Sequence, residues 1–82
     1  MSKHDKLLKR FLSKPKDFRY DELKKLLIHF GYIEIEGSGS RVRFINESYT
    51  TITLHKPHGN DNIIKNYALD NAKNVLEMEG FI

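Results

Sequence analysis

Two different periods run through the chain. Between Asp5 and Ser13, Leu7, Leu8, Phe11 and Leu12 recur at i, i+1, i+4 and i+5, with Lys6, Lys9 and Arg10 off that stripe. This predicts a short amphipathic helix that Pro15 ends. From Tyr20 to Phe30, Leu23, Leu26, Leu27 and Phe30 fall on one helical face. Asp21 and Glu22 sit in its first turn, where the helix dipole favours acids, and Gly31 stands where a left-handed residue closes a helix. The period then drops to two. Residues 32–36 (YIEIE), 41–45 (RVRFI) and 50–54 (TTITL) alternate, separated by Gly37-Ser38-Gly39-Ser40 and Asn46-Glu47-Ser48. Short connections predict an antiparallel meander. A polar loop, 56–62, leads to a last helix over roughly Tyr67–Glu79. Leu69, Ala72, Val75, Leu76 and Glu79 form its face, Asn66 is the expected N-cap, and Gly80 the closing residue.

The order is α-α-β-β-β-α, an α+β architecture with a three-stranded antiparallel sheet and helices on one face. The opposite face is then open. It is expected to carry Arg41 and Arg43 from the second strand, and Thr51, Thr53 and His55 from the third. Such a face suits phosphate contacts, and it also matches the ordinary polar side of an antiparallel sheet.

Composition narrows the chemistry. The chain has 82 residues, no cysteine and a net charge of +3. One domain is expected over 1–82, with 1–17 an N-terminal helical extension and 18–82 the core. Disulfides, thiolate metal sites and cysteine nucleophiles are excluded. No apolar stretch approaches the roughly 20 residues of a membrane span, so a soluble, cytoplasmic protein with no membrane partner is expected. Lys3, Lys6, Lys9, Arg10, Lys14 and Lys16 stand against Asp5 alone, while Asp70, Glu77 and Glu79 lie near the other end. That asymmetry points to a polyanion, although lysine-rich helix faces are also commonly just solvated.

Several stretches line up with a known family. Phe18-Arg19-Tyr20-Asp21-Glu22-Leu23, then Leu26-Leu27 and Phe30-Gly31-Tyr32, resemble the first helix and glycine exit of HicA-type toxins. Gly39-Ser40-Arg41-Val42-Arg43-Phe44 resembles their entry to the second strand. His55-Lys56-Pro57-His58-Gly59-Asn60 and the end Leu76-Glu77-Met78-Glu79-Gly80-Phe81 resemble their third-strand exit and closing helix. The resemblance implies a double-stranded-RNA-binding-domain-like fold. It also implies a metal-independent endoribonuclease toxin that cleaves mRNA, uses no cofactor and is neutralised by a HicB-type antitoxin covering the active face. One position departs. The family's motif is Gly-Ser-His, with the histidine taken as catalytic, whereas Gly39-Ser40 is followed here by Arg41. Sliding the match to Gly37-Ser38 places Gly39 there instead.

Metal-free RNA cleavage by the neighbouring 2′-OH needs a base, an acid and a cation for the phosphorane charge. Arginine can supply only the last, because it does not release its proton. Histidine suits the proton transfers. His55 and His58 are therefore the candidate catalytic residues, with Ser40, Arg41, Arg43 and Lys56 as candidate RNA contacts. If the second and third strands pair through residues 46–48, Arg43 comes near Thr51, and His55 joins Arg41 and Ser40 at one sheet end. A solvated strand-end His55 and a loop His58 are the plain alternatives. His55-x-x-His58 lacks a third ligand, so no metal site is expected. His29 is expected to flank the core. Two further functions remain open on sequence: a non-catalytic RNA-binding module of the same fold, and a protein-interaction domain with a basic face.

Overall fold

A computed structural model describes residues 3–57 and 61–82. Six elements follow in the order α1 (Lys3–Leu12), α2 (Tyr20–His29), β1 (Ile33–Glu36), β2 (Arg41–Asn46), β3 (Tyr49–His55) and α3 (Asn66–Met78). The three strands form one antiparallel sheet in the order β1-β2-β3. This is the α+β, α-α-β-β-β-α arrangement expected from the two periods, consistent with a double-stranded-RNA-binding-domain-like fold.

The core lies between the sheet and the helices. Val42 and Phe44 on β2, and Ile52 and Leu54 on β3, turn inward and are buried. They meet Leu23, Leu26 and Leu27 of α2 and Leu69, Ala72 and Leu76 of α3. Helix α1 adds Phe11, which is 1% exposed and sits 5.7 Å from the Phe18 ring. Burying side chains of this size contributes roughly 1.5–3 kcal/mol each, which a chain without cysteine depends on.

Local chemistry sets the element ends. At the start of α2, the Arg19 N–H donates to the Glu22 carboxylate at 3.1 Å, satisfying one donor that the helix leaves unmatched. Gly31 ends α2 with φ +93°, and a Cβ there would stand 3.0 Å from the Asn46 amide. That amide donates to the Phe30 carbonyl at 3.3 Å. Gly80 closes α3 at φ +83°, and the Phe81 N–H folds back to Leu76 O at 2.9 Å. The start of α3 differs from expectation. Lys65, not Asn66, is the N-cap, without a side-chain acceptor for the helix N–H groups. The linkers 18–20 and 62–64 pair as a short ladder, through Tyr20 N–H to Asn62 O (2.9 Å) and Ile64 N–H to Phe18 O (2.8 Å). That ladder holds the entry to α3 against the entry to α2, one residue ahead of the expected cap.

The β2–β3 register also departs from expectation. Arg43 opposes Thr53, not Thr51, and Arg41 opposes His55. Asn46 pairs with Tyr49 across a two-residue turn, while Phe44 pairs with Ile52. One residue therefore separates the two pairs on β2 and two separate them on β3, a bulge at Thr50–Thr51. Buried Tyr32 anchors it by donating its hydroxyl to Thr50 O at 2.9 Å, and the Thr50 hydroxyl bonds Glu79 at 2.8 Å.

Candidate nucleic-acid interface

Alternation along β2 and β3 decides what faces out. Arg41 and Arg43 are exposed while Val42 and Phe44 are buried, and Thr51, Thr53 and His55 are exposed while Ile52 and Leu54 are buried. Residues opposite each other in an antiparallel pair share a face. Arg41 with His55, and Arg43 with Thr53, are such pairs. The outer face thus carries the arginines, hydroxyls and imidazole together, as the alternation implied. Neither arginine has an ion-pair partner among the described residues. A cleft of about 410 Å³ opens here, bordered by Gly37, Ser38, Arg41, Arg43, Thr53 and His55.

The rim of this cleft is a tight turn. Gly37 N–H donates to Arg41 O at 2.9 Å and Arg41 N–H to Ser38 O at 3.2 Å. Gly39 takes φ +62° with open space where a Cβ would stand, so glycine serves conformation there, not packing. Ser40 is half-buried, and its carbonyl accepts the Lys56 N–H at 2.8 Å. Ser40, Arg41 and His55 therefore meet at one sheet end.

Lys56 stands apart from that group. Its ammonium is bonded to the Glu36 carboxylate and lies 5.7 Å from the Tyr20 ring centroid. Glu36 also holds the Lys56 ammonium pKa above its ordinary value. Nearby, the Tyr20 hydroxyl donates to Glu34, which also pairs with Lys24 at 3.4 Å. Burial and this bond push the Tyr20 phenol well above its usual range, and the same bond holds Glu34 below the usual carboxylate value. Glu34 and Glu36 thus occupy the helix-side face of β1. His58 lies outside the described residues.

Two features were not singled out from sequence, and a third corrects an expectation. Ile33 and Ile35 face outward with Ile45, opposite Ile45 and Arg43 respectively, and Ile33 is 60% exposed. The IEIE alternation fits either face until the helix-side ion pairs are known. Tyr67 is 61% exposed in the first turn of α3, beside Lys65. Its position off the Leu69–Ala72–Leu76 face was the legible signal. His29, expected against the core, is exposed and stacks on His4, with ring centroids 3.5 Å apart and planes 18° from parallel. Phe30 is set edge-on to both rings.

Two of the six basic residues of the N-terminal segment are tied to the fold by ion pairs among the described residues. Arg10 bonds Glu22 at 2.9 Å and Asp17 at 3.2 Å, and Lys14 pairs with Asp70 at 2.8 Å. Among the described residues, no group of three or more His, Asp or Glu side chains converges as a metal site would require. No described helix is long and apolar enough to cross a membrane.

The meander, its helical cover and the glycine-edged basic face belong to a small α+β class that recurs among nucleic-acid-binding proteins. Comparison with protein-family models matches residues 20–77 to the HicA toxin of bacterial toxin–antitoxin systems. The chain belongs to the HicA toxin family, and an antitoxin is accordingly its partner. The match begins at the first residue of α2 and leaves α1 outside. No curated protein and no solved structure gives a match.

Proposed function

We propose that the protein is a metal-independent endoribonuclease toxin acting on mRNA in the cytoplasm, and that a HicB-type antitoxin neutralises it by covering the outer sheet face. The observation that carries this reading is the opposition of Arg41 and His55 on an open face whose two arginines have no internal partner among the described residues. In this mechanism the RNA backbone lies along β2. Arg41 and Arg43 hold the non-bridging phosphate oxygens and offset the charge that builds on the phosphorane. The 2′-OH loses its proton to His55 and attacks the adjacent phosphorus. The 5′-oxygen leaves with a proton from solvent or from His58, giving a 2′,3′-cyclic phosphate and a 5′-hydroxyl. Backbone N–H groups of the Gly37–Ser40 turn and the Ser40 hydroxyl line the approach. Lys56 serves as an outer phosphate contact if it exchanges Glu36 for the RNA. Ile33, Ile35 and Ile45 offer an antitoxin an apolar landing beside the arginines.

The test is cleavage of a single-stranded RNA in the presence of a chelator, followed by end-group analysis. Cyclic-phosphate ends from the wild type, with rates reduced about 100-fold or more in His55→Ala, are the expected result. Equal cleavage by His55→Ala and His58→Ala ends the assignment of the proton carrier.

A second reading is favoured by the residue at position 41. Arginine follows Gly39-Ser40, where the family motif has histidine, and arginine cannot act as a base. On that reading the protein grips RNA without cutting it. Intact RNA in the chelator assay, with salt-sensitive binding retained, selects it.

A further inference from the structure

His55 borders two clefts. The first lies on the outer face with Arg41 and Arg43. The second, of about 240 Å³, lies where β3 gives way to α3 and is bordered by His55, Lys56, Pro57, Lys65, Tyr67 and Ala68. No acidic side chain borders it among the described residues. Tyr67 stands in solvent, yet the next two residues, Ala68 and Leu69, are buried. The backbone that carries the ring is therefore held in place by a helix whose other side is locked in the core. Lys56 is bonded to Glu36, whereas Lys65 has no ion-pair partner among the described residues.

A flat ring exposed beside an unpaired ammonium, next to an imidazole, is poorly explained by the fold's own needs. A small anion would use the lysine and leave the ring idle. An acidic peptide would likewise gain little from an accessible aromatic face. A nucleotide uses both groups, because every base has a π-face and every linkage a charge. The base must also be unstacked to lie on the ring, which a duplex does not permit.

We propose that this second cleft is a nucleotide subsite for single-stranded RNA. Tyr67 stacks one base, and Lys65 holds the phosphate of that nucleotide, next to the linkage gripped by Arg41 and His55. The strand then runs from the outer sheet face across His55 to the start of α3. This assignment rests on the RNA-binding reading above and deepens it. It adds a requirement for unpaired RNA that the sheet face alone does not impose.

The experiment measures binding of a short, unstructured 2′-O-methyl RNA by fluorescence anisotropy. Because that probe lacks the attacking hydroxyl, affinity is read apart from cleavage. Tyr67→Ala is expected to weaken binding by about tenfold or more, while Tyr67→Phe keeps the ring and the affinity. Lys65→Ala is expected to weaken binding and flatten its salt dependence. An oligomer with the same backbone but no bases is expected to bind Tyr67→Ala and wild type equally. Thermal unfolding confirms that the variants fold, since Tyr67 is exposed. If the wild type binds the probe in a salt-dependent way and Tyr67→Ala binds it equally well, the subsite is wrong and the RNA-binding reading stands. If the wild type does not bind RNA, both fall.

Discussion

Helix α1 and strand β2 both carry basic residues at outward positions, and the two sets end differently. On α1, Arg10 is clasped by Glu22 and Asp17, and beyond its end Lys14 reaches across to Asp70 on α3. On β2, Arg41 and Arg43 project from a strand whose alternate residues are buried, with no ion-paired carboxylate among the described residues. In one region Arg10 and Lys14, two of six basic residues, tie helices to the rest of the fold. In the other, positive charge is held ready by a rigid floor. A count of basic residues, higher in the N-terminal segment, therefore does not by itself say which charges the fold already uses. Arg10 and Lys14 have an internal counter-charge, and Arg41 and Arg43 have no ion-pair partner among the described residues.

The largest expected effect tests the structural side of this contrast. Phe11→Ala should destabilise the protein by about 3–5 kcal/mol in chemical denaturation, because it empties a fully buried ring site. RNA affinity per folded molecule should not change. The opposite pattern is expected for Arg41→Ala combined with Arg43→Ala. Stability should shift by no more than about 0.5 kcal/mol per site. RNA binding should weaken, and its log–log salt slope should fall by about 0.7 for each phosphate of the single strand that goes unneutralised. If the double variant binds RNA like the wild type, the outward arginines are merely solvated.

A pH titration gives a smaller effect and sharpens the account of α1. Burial and the neighbouring His29 hold the His4 imidazole below its ordinary value of 6.5, against a smaller opposing pull from Asp5. Lys3 and Lys25 line a small cleft with the two imidazoles, and Phe30 meets both rings edge-on. The folded chain thus takes up this proton at lower pH than the unfolded chain, so stability falls as pH drops below 6.5. His4→Ala should flatten the dependence below pH 6.5, read as denaturation midpoints. Glu22 acts lower down. Its bond from Arg10 holds it below its ordinary value of 4.5, so its contribution is present above that value and fades as pH falls through its lowered one. The smallest effect is expected from Arg10→Ala: a slight drop in thermal stability, reduced further by salt, with RNA affinity unaffected.

Much of the architecture was legible because it is written in local periods. The i, i+3, i+4, i+7 leucines of α2 and the alternation in β2 and β3 each define a face, and Gly31 and Gly80 adopt the left-handed backbone their positions require. From those faces the meeting of Arg41, Arg43 and His55 followed. What was not legible depends on contacts distant in sequence. The direction of β1 is settled by Lys24, Tyr20 and Lys56, which draw Glu34 and Glu36 to the helix side and leave the isoleucines outside. Lys56 could not be recognised as paired without knowing that Glu36 lies near it. The stacking of His4 on His29 joins two helices that no short-range pattern relates. The true cap of α3 is set by the ladder between residues 18–20 and 62–64.

The extra residue in β3 has a consequence for how this protein can vary. A two-residue turn joining Asn46 to Tyr49 would, if continued regularly, place Phe44 against Thr51, an inward side chain against an outward one. Inserting one residue restores the parity of the hairpin. Deleting either Thr50 or Thr51 would therefore do more than shorten a strand: it would force Ile52 and Leu54 into water or tear open the turn. Length at this point is under tighter constraint than residue identity, and the pairing of Arg41 with His55 depends on it.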